Sequence, residues 1–288
     1  MKFLSGSIPW CFTLALSLTW GACLQAQENP AGPPPLSPVP AAGPQKPDAE
    51  AIRKSIKKIS DHEYELGLMK LNAQEKEMRL PAVLNMVKGP LEYLLVGENG
   101  AAHEALFVSK VTPFEMNVAL LLLGYKPCET FFTKATPEKY PEPLKNPVIT
   151  PEARIDVWVE FRNEAGEEKR VRAENWIHNL KTNAPVSDGP WVYNGSFLRE
   201  EGELAAQLSG NMISLYLDGL ALMNNPREDN ERDDIWEPAA KLPKKGTAVT
   251  LVLRPAAPEP LKNSPEKASG KTPEKKAKPT TPRTQKSK

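Results

Sequence analysis

The residues with the clearest potential for chemistry are a histidine–glutamate pair and an acidic run. His103 and Glu104 are adjacent, and residues 225–234 read NPREDNERDD. Carboxylate and amide oxygens suit a hard cation such as calcium, and imidazole is a common ligand of divalent metals. A divalent cation is therefore the candidate cofactor. Its predicted ligands are His103, Glu104, Asp229, Asp233 and Asp234.

Several features of the same residues favour a simpler interpretation. On a strand, His103 and Glu104 would point to opposite faces, so the metal would need ligands from elsewhere in the chain. Arg227 and Arg232 interrupt the acidic run, which has no glycine. The alternative is a surface loop held by turn and capping hydrogen bonds.

Other catalytic signatures are weak or missing in the sequence. The chain has three histidines and no HExxH or CxxC spacing, and Asn194-Gly195-Ser196 lacks the flanking glycine of a nucleophile elbow. Three cysteines are too few for an iron–sulfur cluster held by four thiolates of one chain. Cys128 is a candidate nucleophile or metal ligand, or alternatively a small buried hydrophobic residue.

The second half of the chain is rich in large aromatic residues. An aromatic face could bind a sugar or a peptide, whereas core packing is the alternative because strands favour these residues. The residues concerned are Trp158, Trp176, Trp191, Tyr193 and Trp236.

The N-terminus indicates export. Lys2 precedes an uncharged, mostly apolar run, and Ala26 supplies a small residue before a polar cluster, which predicts a signal peptide over 1–26. Lipidation at Cys23 after Gly-Ala is the alternative. The chain is expected in the periplasm or cell envelope, without a membrane-spanning helix once the signal is removed. Either form of processing leaves Cys128 without an intramolecular disulfide partner.

Proline and charge divide the remaining chain. Eight prolines in residues 27–47 predict an extended linker, and residues 48–61 predict a short helix or further linker. Residues 256–288 carry nine Lys and Arg against three Glu, which predicts a disordered basic tail. Such a tail favours an envelope protein, a glycan or an anionic surface as partner. Nucleic acid is disfavoured by the export signal and by the lack of interleaved aromatics.

Between these ends, strand patterns dominate. Ile155, Val157, Val159 and Phe161 alternate on one face of a strand, and Asn99-Gly100 between two apolar runs predicts a hairpin. Thr112-Pro113 opens an apolar run closed by Gly124, which predicts a core helix. The pattern predicts an α+β fold in which one apolar helix packs across a curved, mainly antiparallel sheet of about nine strands.

The segments that recur in a known family are LEYLLVGENGAAHEALFVSKVTPFEMNVALLLLGYKP and DVWVEFRNEAGEEKRVRAENWIHN, followed by GPWVYNGS, NNPREDNERDDIW and GTAVTLVLRP. Together they resemble the YdjY domain of exported bacterial proteins, over about residues 62–255. The resemblance implies an envelope module of uncharacterised mechanism. Some relatives are described as ferredoxin-like, a role for which this chain lacks the cysteines.

The sequence therefore favours an exported envelope module that binds a partner and carries no catalytic signature. A metal-binding or metal-dependent protein that uses His103 and the acidic loop 229–234 is the alternative. An enzymatic activity is the less favoured of the two classes, and the ligand is left open.

Overall fold

The structure is a computed structural model that describes residues 54–136, 139–200 and 202–257. The predicted signal peptide (1–26), Cys23 and the linker (27–47) lie outside the described residues, as does the tail beyond Ala257. Within this part of the chain, no helix is long and apolar enough to cross a membrane.

The described residues form fifteen strands and two α-helices. The helices are α1 (Pro113–Leu122) and α2 (Ala205–Ser209). In chain order, the strands are β1 (Ile56–Lys58), β2 (Glu63–Leu66), β3 (Met69–Asn72), β4 (Glu77–Leu84), β5 (Tyr93–Gly97), β6 (Ala105–Ser109), β7 (Arg154–Arg162), β8 (Glu168–Arg172), β9 (Ile177–Asn179), β10 (Ala184–Pro185), β11 (Trp191–Tyr193), β12 (Asn211–Ser214), β13 (Met223–Asn224), β14 (Trp236–Pro238) and β15 (Ala248–Pro255).

Eight of these strands close into a barrel. Their order is β4-β15-β7-β11-β13-β12-β5-β6, and β6 pairs with β4 to complete the ring. Strands β1, β2 and β3 extend the sheet beyond β4, and β8 extends it beyond β7. Strands β10, β9 and β14 form a separate small sheet. The prediction of a curved, mainly antiparallel sheet of about nine strands with one helix packed across it is therefore wrong, because the pairing of β6 with β4 closes the sheet into a barrel.

The barrel is mixed rather than antiparallel. Strands β5 and β6 pair in parallel, and so do β12 and β13. Asn99-Gly100 therefore does not make the predicted hairpin. A Cβ on Gly100 would lie 2.7 Å from Val96 Cβ and 2.8 Å from the Gly210 carbonyl oxygen, so the turn packs tightly on its neighbours. A 3₁₀ turn over Ala102–Glu104 then carries the chain back to begin β6 in the same direction as β5.

The barrel interior is the main hydrophobic core. The predicted alternation holds along β7, where Ile155, Val157 and Val159 are buried. Helix α1 has the predicted boundaries: the Thr112 side chain accepts a hydrogen bond from Glu115 N, and the Glu115 side chain accepts one from Thr112 N. This reciprocal capping satisfies backbone donors that would otherwise lack partners at the first turn.

The edge that precedes the barrel differs from its prediction. Ile56–Lys58, inside the region predicted to be a helix or linker, form β1 and pair with β2. Ile56 packs against the barrel core, so tertiary contacts at this position outweigh the helical pattern.

Candidate functional site

The predicted metal ligands separate into two groups. His103 and Glu104 lie in the 3₁₀ turn before β6 rather than on a strand, so their side chains meet, with His103 Nε2 3.5 Å from Glu104 Oε2. Burial raises the pKa of the neighbouring Glu92, and the negative charges of Glu104 and Asp233 raise it further. The charge of Asp233 thus acts on Glu92, but no hydrogen bond or ion pair between described residues joins Asp233 to His103 or Glu104.

The other two predicted ligands form ion pairs with basic side chains. Asp229 forms an ion pair with Lys181, and Asp234 Oδ2 lies 2.7 Å from Arg232 Nη2. His103 is 78% exposed. In the described part of the chain, no group of three or more His, Cys, Asp or Glu side chains is arranged to hold a metal ion. The metal site stays a prediction without support from the geometry.

A buried polar cluster lies outside the main core, beside β5 and β12. The Tyr93 hydroxyl lies 2.8 Å from that of Tyr216, and Asn211 Nδ2 donates to the Tyr93 hydroxyl at 2.9 Å and to Asp218 Oδ2 at 3.0 Å. Burial raises the pKa of Asp218 and raises that of Tyr216 to about 12. Asp218 Oδ1 also accepts a bond from Leu220 N at 2.8 Å, so this cluster fixes the segment that leads into β13.

A second polar cluster joins three of the segments that carry the family resemblance. Fully buried Glu174 accepts hydrogen bonds from Trp191 Nε1 at 3.0 Å and from Arg227 Nη2 at 2.7 Å. Arg172 donates to Glu174 and, at 3.0 Å, to Asp156 Oδ1. Burial lowers the pKa of Arg227, whereas the bonds to Asp156 and Glu174 outweigh burial for Arg172 and raise its pKa.

This arginine–glutamate cluster was missed by the sequence reasoning. Arg227 seemed only to interrupt the acidic run, yet its guanidinium stacks 5.0 Å from the Trp191 ring centre and donates to the Gly189 carbonyl at 2.6 Å. Arg172, Trp191 and Arg227 all donate to Glu174. The cluster therefore cross-links the RAENW, GPW and NNPRED segments. Its geometry is that of a structural anchor rather than of a ligand site.

The aromatic residues do not form a common exposed face. Trp176, Trp191, Tyr193 and Trp236 are buried. Trp158 lies on the outer side of β7, with the guanidinium carbons of Arg170, Arg172 and Arg254 5.1 to 5.2 Å from its ring centre. Core packing therefore accounts for four of the five aromatic candidates.

Cys128 belongs to a small apolar cluster next to the barrel. Its side chain is buried with Phe131, Phe132 and Val192, and its Sγ lies 3.5 Å from the Val148 carbonyl oxygen. A reactive thiol needs exposure, whereas the Cys128 side chain is only 4% exposed. The structure thus favours the interpretation of Cys128 as a small hydrophobic residue.

A cleft of about 390 Å³ opens beside this apolar cluster. Residues 127–129, 132–135 and Pro141 line one side, whereas residues 194–198 and Gly219 line the other. Two glycines set how closely the walls approach. A Cβ on Gly195 would lie 2.9 Å from Pro127 Cγ, and one on Gly219 would lie 2.9 Å from Pro141 Cβ. Pro127 and Gly195 belong to segments that carry the family resemblance, so those segments build this cleft.

The polar side chains of the inner wall of the cleft, Asn194 and Ser196, already form hydrogen bonds within the protein. Asn194 Nδ2 donates to Ala221 O at 2.9 Å, and Asn194 Oδ1 accepts from Asn224 Nδ2 at 2.8 Å. Ser196 has a left-handed backbone, with φ of 57°, and its hydroxyl donates to Leu220 O at 2.7 Å and accepts from Ala206 N. These bonds make the wall rigid and leave few free polar atoms.

The rim of the cleft carries exposed apolar residues beside charged ones. Leu198 lines the cleft and is 68% exposed, and Tyr140, which is 70% exposed, packs edge-on at 6.4 Å against Phe197 of the cleft wall. Glu129 and Lys134 are exposed at the same cleft, and neither forms an ion pair with another described residue. The rim thus offers exposed apolar surface together with one free carboxylate and one free ammonium group.

A larger open cleft, of about 950 Å³, lies on the outer face of β4, β15, β7 and β8. Its charged side chains neutralise one another. Arg79 bonds to Glu77 at 3.2 Å and pairs with Glu160, and Arg170 lies 3.7 Å from Glu160. Because these arginines already have carboxylate partners, a new anion would have to displace them. This face is a weaker candidate than the apolar-rimmed cleft.

Comparison with known families agrees with the pattern of segments described above. A family model for the YdjY domain matches residues 69–254, which include the whole barrel and both walls of the cleft. Comparisons with curated proteins and with solved structures find no match. Since the family model covers well over half of the 288 residues, the chain belongs to the YdjY-domain family.

Proposed function

We propose that this protein is an exported cell-envelope binding module whose apolar-rimmed cleft takes an extended apolar peptide segment of a partner protein. The observation that carries the proposal is the exposed apolar surface at the cleft: Leu198 lines the cleft and is exposed, and exposed Tyr140 packs against Phe197, which also lines it. Several exposed apolar residues at one site typically mark a protein-binding surface, whereas single exposed apolar residues occur on any protein surface.

The polar groups favour a peptide over a glycan. A sugar buries many hydroxyl groups that each need a hydrogen-bond partner, and unpaired buried hydroxyls are costly. Asn194 and Ser196, the polar residues of the inner wall, are already bonded to the protein. A peptide can place apolar side chains in the cleft while its backbone stays hydrated at the rim, where Glu129 and Lys134 can pair with its charged groups.

The cell-envelope part of the proposal rests on the N-terminal sequence. The basic start, the apolar run and the small residues before residue 27 support a signal peptide. A binding role is also supported by the surroundings of the cleft, where the thiol of Cys128 is buried and the hydroxyl of Ser196 is committed to backbone partners.

The test is a binding titration against a library of extended apolar peptides and a matched panel of oligosaccharides, measured by calorimetry. We expect peptides with a central apolar residue to bind and oligosaccharides not to bind. The Leu198→Lys variant should weaken peptide binding at least tenfold, because it places a charge on the apolar rim.

Leu180→Lys is the matched control. Leu180 is 50% exposed but lies at the end of β9, away from the cleft, so its replacement should leave the affinity unchanged. Equal weakening by both variants would contradict the assignment of the site. Binding of oligosaccharides but not of peptides would overturn the proposed ligand class, and metal content measured on the same sample tests the alternative of a metal-binding protein.

A further inference from the structure

The last strand of the barrel ends beside the proposed peptide cleft. Ala256, the residue after β15, donates from its N to the Arg154 carbonyl at 3.1 Å. Arg154 pairs with Val192 of β11, and Val192 is buried with Cys128 and Ala153 in the apolar cluster that borders the cleft. The chain therefore leaves the barrel at the edge of this cluster.

The direction of β15 leads the following residues toward the cleft. Strands β15 and β11 are both antiparallel to β7, so they run in the same direction. Ala256 is level with Val192 at two strand spacings, which amount to about 10 Å. The cleft wall begins two residues after Val192, at Asn194, and two strand residues span about 7 Å. Ala256 is thus about 12 Å from Asn194.

The residues that follow carry one apolar side chain within reach of the cleft. Residues 257–262 read Ala-Pro-Glu-Pro-Leu-Lys, and Leu261 is the only large apolar residue in the sequence after Pro255. Leu261 follows Ala256 by five residues, which span at most about 18 Å. This span exceeds the 12 Å that separates Ala256 from the cleft wall by about half. Pro258 and Pro260 favour the extended backbone that the reach requires.

The charges beside Leu261 match those at the cleft. Glu259 and Lys262 lie on either side of Leu261 in the sequence. The cleft presents the exposed side chains of Glu129 and Lys134, and neither forms an ion pair with another described residue. The segment therefore brings an apolar residue, an acid and a base to a site that offers exposed apolar surface, a base and an acid.

We propose that residues 257–262 fold back into the cleft of their own chain, where Leu261 contacts the exposed apolar surface at Leu198. This inference rests on the proposed peptide-binding function and adds an intramolecular competitor to it. The short connection gives the segment an effective concentration on the mM scale that does not depend on protein concentration. A single apolar anchor binds weakly, so a partner peptide with a better fit displaces the segment.

The size of the competition follows from these values. With an effective concentration on the order of 5 mM and a dissociation constant on the order of 1 mM, the segment occupies the cleft in about five molecules of six. The apparent affinity for a partner peptide then falls about sixfold. Loss of the segment should restore the full affinity.

The first test is hydrogen exchange of the full chain and of a chain that ends at Ala257, without added peptide. The shortened chain keeps β15 and the hydrogen bond of Ala256. We expect slower exchange in residues 127–135 and 194–198 of the full chain, by up to about sixfold, and the same difference at a tenfold higher protein concentration. Equal exchange in the two chains, or protection that grows with protein concentration, would overturn the intramolecular contact.

Substitutions in the tail locate the contact. Leu261→Ser removes the apolar anchor and should abolish the protection, whereas Ala268→Ser, outside the segment, should preserve it. Lys262→Glu places a second acid near Glu129 and should weaken the protection. Lys275→Glu makes the same charge change farther along the tail and should have no effect. Equal loss of protection in Leu261→Ser and Ala268→Ser would overturn the assignment of Leu261 as the anchor.

Calorimetry with the tightest apolar peptide of the library separates this inference from the proposed function. The shortened chain and the Leu261→Ser variant should bind that peptide about sixfold more tightly than the full chain. Equal affinities would overturn the intramolecular competitor and leave peptide binding by the cleft intact. Protection that depends on Leu261, with no binding of any library peptide by the shortened chain, would support the contact and contradict the proposed function.

Discussion

Replacement of Glu174 by glutamine tests the central cross-link of the fold. Glu174 is fully buried and accepts bonds from Trp191 Nε1, Arg227 and Arg172. Glutamine keeps the volume but removes the charge, and its amide group places a donor against other donors. Arg227 would then be buried without its main counter-charge. The removal of one partner from a buried ion pair costs about 3 to 5 kcal/mol.

For a domain of this size, 1 kcal/mol corresponds to about 2 to 4 °C in the melting temperature, so Glu174→Gln should lower it by roughly 6 to 20 °C. Urea unfolding at neutral pH should give the same loss of free energy. Glu168→Gln is the matched control, because Glu168 pairs with Arg162 at 2.6 Å but both side chains are exposed, and no measurable change is expected. If Glu174→Gln and Glu168→Gln lost equally little stability, the cluster could not be the anchor described here.

Three further predictions concern the polar cluster, the cleft and helix α1. Burial raises the pKa of Asp218 above its ordinary value, so its protonated form stabilises the fold at low pH and this contribution is lost as pH rises through the raised pKa. Asp218→Asn should therefore gain stability relative to the native protein in urea unfolding as pH rises from about 4, the ordinary pKa of aspartate, through the raised pKa of Asp218, and a pH-independent difference would contradict this. Gly195→Ala and Gly166→Ala both place alanine at a left-handed position, but only the former meets another residue within 4 Å. Gly166→Ala should cost about 1 kcal/mol and Gly195→Ala clearly more, and equal melting temperatures for the two variants would count against the close approach of Pro127. Thr112→Ala removes the cap of α1 and should cost about 1 kcal/mol in urea unfolding, whereas an unchanged free energy of unfolding would show that the capping contacts are replaced.

The local features of the fold could be predicted because local chemistry determines them. Thr112, Pro113 and Gly124 mark the ends of α1, and the alternation along β7 identifies its buried face. Closure of the barrel could not be predicted in this way. It depends on the pairing of β4 with β6 and on parallel pairs such as β5 and β6, and these are contacts between segments rather than patterns within them.

The contacts between distant polar residues could not be predicted from local patterns either. Arg227 and Glu174 are 53 positions apart, and nothing near either one indicates that they meet. The metal site required His103 and the acidic run to meet, yet Asp229 and Asp234 form ion pairs with Lys181 and Arg232 instead. Two signals for the cleft were present in the sequence, namely Gly195 after Asn194 and the six prolines of residues 125–151, but their contact depends on the fold.

The most direct test of the proposed function is to locate the bound peptide by hydrogen exchange. The chain would be compared alone and saturated with the tightest apolar peptide from the library. We predict slower exchange in residues 127–135 and 194–198, with little change on the outer face of β7 and β8. Protection confined to the Arg79 and Arg170 face, or an unchanged pattern despite measurable binding, would contradict the assignment of the cleft as the binding site.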